Sequence, residues 1–291
     1  MARRLRRFVA PVVILLAGVV LLGGVTQVLR SRDEDSSTMQ TVAQNLAQSV
    51  AQGIEKISAD GLEASRAAAQ SALTSRLDAL FGDAAEYAVE VFDLKTDTPI
   101  TQIRTTQDFT SASTYKIYVA YAMLDAIEKG TETWDSELNG TTLETCIERM
   151  IIESDNACPL AWIDRYSYET LTEQAHAIGA SGTTRFAEND KHTTAADLTT
   201  VLAKLYHGDL LSDASRTHLL NLMKSQNYRD GIPAGIGAAG EVADKVGFLN
   251  GLLHDAGIVY TQKGDYVMVI MTDGSSWDTI AQATALLYEA L

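Results

Sequence analysis

Alternating apolar residues, the period of a half-buried strand, fall in two blocks of this chain with helical-period sequence between them. "YAVEVFDL" (87–94) and "PITQIR" (99–104) form the first block, and the intervening "KTDT" predicts a hairpin. "VADKVGFL" (242–249), "HDAGIVYT" (254–261) and "YVMVIMTDG" (266–274) form the second, the last two joined by the hairpin-like "QKGD". Between the blocks, "TTLETCIERMIIE" and "TTAADLTTVLAKLYHG" each begin at a threonine cap, the second stops at Gly208, and "ACPLAWIDRY" lies between them. "SSWDTIAQATALLYEAL" closes the chain as a capped amphipathic helix, and a further helix is predicted near 65–81. Strands at both ends of a helical middle predict an α/β unit with a discontinuous sheet beside an all-helical subdomain.

The first residues depart from this pattern. "MARRLRR" carries four arginines, Phe8 to Val25 is uncharged and largely apolar, and Arg30 and Arg32 follow. Eighteen such residues rise about 27 Å as a helix, marginally the hydrocarbon thickness of a bilayer. The preceding arginines favour an N-inside orientation, which sends the rest of the chain across the membrane. The rival reading is a cleaved signal peptide, but no small-x-small cleavage site follows the apolar run. The organisation expected is therefore a basic tip and transmembrane anchor (1–31), a stalk or linker (32–65) and a catalytic domain (66–291), on a single-pass protein of the cell membrane with an extracytoplasmic domain. In the stalk, Val42, Leu46, Val50, Ile54 and Ile57 recur at spacings of three or four, an amphipathic stripe able to self-associate, with a disordered linker as the alternative. The formal charge of −15 is spread along the chain and no basic stripe is present, which argues against nucleic acid as a partner.

Cys146 and Cys158 are the two cysteines. Outside the cytoplasm thiols tend to oxidise, and a bridge closing "CIERMIIESDNAC" would contribute about 3 kcal/mol by chain entropy; two buried free thiols are the alternative.

Three short polar patterns bear on chemistry. "SASTYKIYVAYAML" (111–124) places Ser113 three residues before Lys116, within reach on one helix face, at the start of an apolar segment. Ser154-Asp155-Asn156 interrupts "IIESDNACP", and Lys245 stands on an apolar strand in "DKVGF". Each alone has an ordinary reading: chance spacing, a turn, a strand-edge lysine. Ser-x-x-Lys, Ser-Asp-Asn and Lys-x-Gly in that order resemble the signature of class A β-lactamases and penicillin-recognising serine hydrolases. "GIPAGIGAAGEVADKVG" and "KHTTAADL" add to the likeness, which covers about Leu73 to Leu291.

The resemblance implies a β-lactamase/transpeptidase-like fold: an antiparallel sheet flanked by terminal helices plus an all-helical subdomain, here preceded by a transmembrane helix. It implies a serine acyl-hydrolase that opens a β-lactam or related amide. Ser113 would be the nucleophile and Lys116 its base, if burial and nearby cations hold the amine's pKa down. Ser154 would relay a proton to the leaving nitrogen, and Asn156 would orient Lys116 and the substrate amide. Lys245, with Gly247, would bind the substrate carboxylate, and the backbone N–H groups of Ser113 and Phe248 would form the oxyanion hole. The alternatives are a D-Ala-D-Ala peptidase acting on peptidoglycan-type peptides and a non-hydrolytic penicillin-binding sensor or wall-binding module.

Two departures from the family pattern qualify this. Val246 and Phe248 stand where hydroxyl or small residues are usual, which removes hydrogen-bond donors for a carboxylate. "TTRFAENDKHTTAADL" is also too short for the family's omega loop, so Glu188 is the nearby glutamate left to activate water, and slow deacylation is expected. No metal or organic cofactor is implied: the five histidines lack ligand spacing, and the glycines of "GIPAGIGAAG" lead into a strand, unlike a phosphate loop.

Overall fold

The computed structural model describes residues 36–83 and 85–291. The anchor expected at 1–31 lies outside them, and among the described residues no helix is long and apolar enough to cross a membrane. The chain divides into two compact units at Ala68/Ala69.

One helix, α1 (Ser36–Phe81), runs through both the stretch read as a stalk and the further helix near 65–81. In its first part Leu46, Val50 and Ile57 are 56%, 50% and 73% exposed, so the apolar stripe there is uncovered.

In the second unit the two strand blocks share one antiparallel sheet, in the order β2-β1-β10-β9-β8. It comprises β1 (Glu86–Asp93), β2 (Thr98–Ile103), β8 (Gly240–Leu249), β9 (Leu252–Thr261) and β10 (Gly264–Asp273). The first block joins the second where β1 pairs with β10, Val89 opposite Ile270. Period-two alternation then sorts the side chains. Tyr87, Val89, Val91, Val242, Val259, Met268 and Ile270 pack under Leu73, Leu77 and Phe81 of α1 and Ile280, Ala283 and Leu287 of the last helix, α9 (Trp277–Ala290). Ala88, Ala243, Ala256, Ile258, Val267 and Val269 face the helical subdomain. Each fully buried Leu or Ile contributes about 1.5–3 kcal/mol through removal from water.

The subdomain contains α2 (Lys116–Glu128), α3 (Leu143–Ile152), α4 (Ala157–Tyr166), α5 (Tyr168–Ala177), α6 (Ala195–His207) and α7 (Asp213–Lys224). The caps read from sequence are formed. Thr142 Oγ1 accepts from Thr145 N, Thr194 Oγ1 from Asp197 N and Ser276 Oγ from Thr279 N, while Gly208 adopts the left-handed conformation (φ 81°) that ends α6. A two-stranded ribbon, β4 (Glu137–Leu138) with β5 (Thr141–Thr142), precedes α3, and a short helix, α8 (Ile232–Ile236), leads into β8.

Two features differ from expectation. The segment after Lys116 is buried on more than one face: Ile117, Tyr118, Val119, Ala120, Ala122, Met123 and Leu124 are all buried, and Tyr121, Asp125 and Glu128 leave a single partly exposed side of α2. A small second sheet, in the order β3-β7-β6, is built from β3 (Phe109–Thr110), β6 (Arg185–Ala187) and β7 (Asp190–Thr193). Its β6–β7 hairpin falls in the stretch read as too short for an omega loop.

Candidate active site

Ser113 lies in a 3-10 turn, Ala112–Tyr115, and Lys116 begins the α-helix that follows. In a 3-10 turn residues i and i+3 eclipse, so the spacing that suggested one helix face still aligns serine and lysine. The turn is clamped from three sides. Thr114 N and Thr114 Oγ1 both donate to Ser111 O (3.0 and 2.6 Å), and Ser111 N donates to Lys191 O on β7 (2.7 Å). Buried His254 on β9 accepts from Thr272 N at Nδ1 (3.1 Å), which leaves Nε2–H to donate to Thr110 O (2.8 Å). Burial holds the pKa of this imidazole down, so it serves as a neutral strut.

From the sheet side, Gly247 on β8 touches the turn. A Cβ added there would meet Ser113 N at 2.9 Å, Ser111 O at 3.0 Å and Thr114 N at 3.0 Å, so only glycine permits this approach. Ser113 and Phe248 consequently line one cleft of about 390 Å³, together with Asn156, Leu160, Glu188, Asn189, Lys191 and Leu249 among others.

The Ser154-Asp155-Asn156 turn joins α3 to α4 on the opposite wall. Ser154 has φ 59°, a left-handed conformation that costs a non-glycine residue about 1–2 kcal/mol. Three contacts hold it: Asp155 N donates to Arg149 O (3.1 Å), Cys158 N to Asp155 Oδ2 (2.9 Å), and a disulfide links Cys146 on α3 to Cys158 on α4. The bridge thus spans the turn itself.

Under this turn lie the two amines. Lys116 Nζ donates to Ser154 O (2.6 Å), Asn156 Oδ1 (2.7 Å) and Ser154 Oγ (3.2 Å). Lys245 Nζ donates to the same Ser154 Oγ (3.0 Å) and to Val246 O (3.0 Å). Both lysines are fully buried. Burial, reinforced by the charge of Lys245, brings Lys116 down to about 7; burial brings Lys245 down to about 8, opposed by Asp244 and Asp255. One hydroxyl therefore bridges two amines that titrate near neutrality, an arrangement able to pass a proton between them.

Asp244 and Asp255 form a buried carboxyl pair behind Lys245. Asp244 accepts from Arg229 and Gln226, and Asp255 Oδ2 accepts from Ile232 N (2.7 Å). Burial and the neighbouring charge of Asp255 hold Asp244 well above the usual carboxylate range, and burial raises Asp255 to about 6. The sequence signal for this pair is an acid within each of two apolar strands, Asp244 and Asp255.

The structure thus gathers Ser113, Lys116, Ser154, Asn156, Lys245, Gly247 and Phe248 from one turn, one interhelical loop and one strand. Glu188 lines the same cleft at the tip of the β6–β7 hairpin, where its side chain is exposed. Lys191, also in the lining, was not singled out from the sequence.

A model of the β-lactamase enzyme family matches residues 72–291. No curated protein matches the chain. Among solved structures, PBP-A is 25% identical over 75% of this chain and 95% of its own, with a TM-score of 0.69. The ancestral (GNCA) class A β-lactamase is 23% identical over 75% of this chain and all (100%) of its own, with a TM-score of 0.70, a likeness of fold. A PBP-A mutant, 24% identical over 76% of this chain and 96% of its own with a TM-score of 0.69, is solved as an acyl-enzyme complex with penicillin G. The chain belongs to the β-lactamase enzyme family, serine hydrolases acting on amide bonds.

Proposed function

We propose that this protein opens a β-lactam or a related amide through an acyl-enzyme on Ser113, and that the adduct hydrolyses slowly. The observation that carries the reading is the Lys116–Ser154–Lys245 chain of hydrogen bonds, with Lys116 three residues after Ser113 where the turn enters α2. Neutral Lys116 takes the proton of Ser113 Oγ as that oxygen attacks the carbonyl carbon. The negative charge that develops on the carbonyl oxygen is received by the N–H groups of Ser113 and Phe248. As the C–N bond breaks, Ser154 Oγ gives its proton to the leaving nitrogen and regains one from Lys116. Asn156 holds Lys116 and the substrate amide, and Lys245 remains charged to attract the substrate carboxylate.

Slow deacylation is supported by the setting of Glu188, exposed on a hairpin with no hydrogen bond to its carboxylate among the described residues. A carboxylate left in bulk solvent orients water poorly. That feature equally favours a second reading, a D-Ala-D-Ala peptidase, for which β-lactams are trapped analogues; a penicillin-binding sensor is the limit of no turnover. The basic tip and apolar run at 1–31 support a membrane anchor with the domain outside the cytoplasm, and the uncovered stripe of Leu46, Val50 and Ile57 supports self-association of α1.

The test is turnover. The full chain is mixed with penicillin G and, separately, with a D-Ala-D-Ala peptide, and penicilloate and free D-alanine are measured. Slow penicilloate without D-alanine supports the β-lactamase reading, and D-alanine release supports the peptidase. Neither product, with a stable adduct, leaves the sensor.

A further inference from the structure

The cleft wall carries an amine that the proposed chemistry does not use. Lys191 sits on β7, where alternation sends Asp190 and His192 to the opposite side. There Arg185 pairs with Asp108 (3.0 Å) and Asp190 (3.3 Å), and His192 contacts Asp108 (2.7 Å) and Asp190 (2.8 Å), so those charges satisfy one another. Lys191 is left in the cleft wall with Asn156, Leu160 and Leu249. Its Nζ lies 5.6 Å from the ring centre of Tyr115 and 4.9 Å from that of Tyr168, and donates to Glu188 O (2.8 Å).

An ammonium has three donors, so two N–H groups of Lys191 have no protein partner among the described residues. Two aromatic faces and a backbone carbonyl fix the position of the charge before any ligand arrives. Partial burial lowers its pKa, with the charge of Glu188 acting in the other direction. The Glu188 carboxylate makes no ion pair with it among the described residues and, being exposed, is screened by water and salt, so the wall beneath remains positive. The overall charge of −15 would otherwise repel anions, which makes this a local exception. The walls of the cleft also include apolar Leu160 and Leu249, 41% and 48% exposed, suited to a short methylene chain. Lys245, bonded beneath Ser154, does not line this pocket, so Lys191 is the amine that a group within it meets.

We propose that this pocket selects substrates whose acyl group ends in a carboxylate on a short aliphatic chain, with Lys191 Nζ receiving that carboxylate. The inference rests on the acyl-enzyme reading above and adds the substrate class on the acyl side. One charge-assisted hydrogen bond of this kind corresponds to about tenfold or more in rate or affinity.

The experiment compares second-order acylation of the full chain by two penicillins sharing one nucleus, one with a neutral phenylacetyl group and one with an adipyl group that ends in a carboxylate. The expected ratio favours adipyl by about tenfold or more. That ratio should collapse toward one in Lys191→Met, persist in Lys191→Arg and shrink as salt is raised. A common loss of rate with both penicillins in Lys191→Met, leaving the ratio intact, indicates a structural role for Lys191 and overturns the inference, as does a wild-type ratio near one. Absence of any adduct with either penicillin overturns the acyl-enzyme reading, and this inference with it.

Discussion

Gly247→Ala isolates the contact that shapes the proposed oxyanion hole. The added methyl would sit 2.9–3.0 Å from Ser113 N, Ser111 O and Thr114 N, where ordinary contacts begin near 3.4 Å. All three are backbone atoms of a turn clamped by Thr114 and by Lys191 O, so the turn has little room to yield. The edge strand β8 must instead move out by roughly half an ångström, an overpacking cost of about 1–3 kcal/mol. For a domain of this size that lowers Tm by about 2–12 °C. The larger effect is catalytic. Separating Phe248 N from Ser113 N weakens a pair of donors whose individual loss costs about 10²–10³ in rate in serine hydrolases, so a fall in acylation of at least about tenfold is expected. Stopped-flow acylation by a fluorescent penicillin, with thermal unfolding alongside, separates the two effects. Acylation within twofold of wild type would show that the approach of Gly247 to the turn does not set the geometry of the site.

Acylation should rise with pH through about 7, as Lys116 loses its proton and becomes a base, and fall above about 8, as Lys245 loses the charge that holds a carboxylate. Removing that charge in Lys245→Met should move the rising limb to higher pH, and an unmoved limb would refute electrostatic coupling of the two amines. Asp255, raised to about 6 in the folded state, contributes stability that is fully present below its ordinary pKa near 4 and lost as pH rises through 6. In Asp255→Asn, therefore, the decline of Tm between pH 4 and 7 should flatten; an unchanged slope would assign it elsewhere. The double variant Cys146→Ala/Cys158→Ala should lose about 3 kcal/mol, some 6–12 °C in Tm, measured by calorimetry. Glu188→Gln should change decay of the adduct little, because the exposed carboxylate orients water poorly, and a marked slowing would restore it as the group that activates water.

Much of the architecture was legible because it rests on periodicity and caps. The alternation in "YVMVIMTDG" survives as β10, and Thr142, Thr194 and Ser276 cap the helices they were read to cap. The three polar patterns converge because they lie at boundaries: a turn before a buried helix, a loop between helices, a strand at the sheet edge. What escaped reading was of two kinds. β3, β6 and β7 are two to four residues long, too short for a period to register, so the sequence pattern does not mark Lys191 as a strand residue of the cleft wall. The local geometry of Ser113 was misread for a related reason, since a single 3-10 turn leaves the same spacing of serine and lysine as an α-helix.

The most direct test of the account is intact mass and peptide mapping of the full chain after brief exposure to penicillin G. The account predicts one penicilloyl group, on the peptide containing Ser113, absent in Ser113→Ala and strongly slowed when Lys116 is replaced by alanine. An adduct on another residue, or one that forms equally well without Ser113, would contradict it.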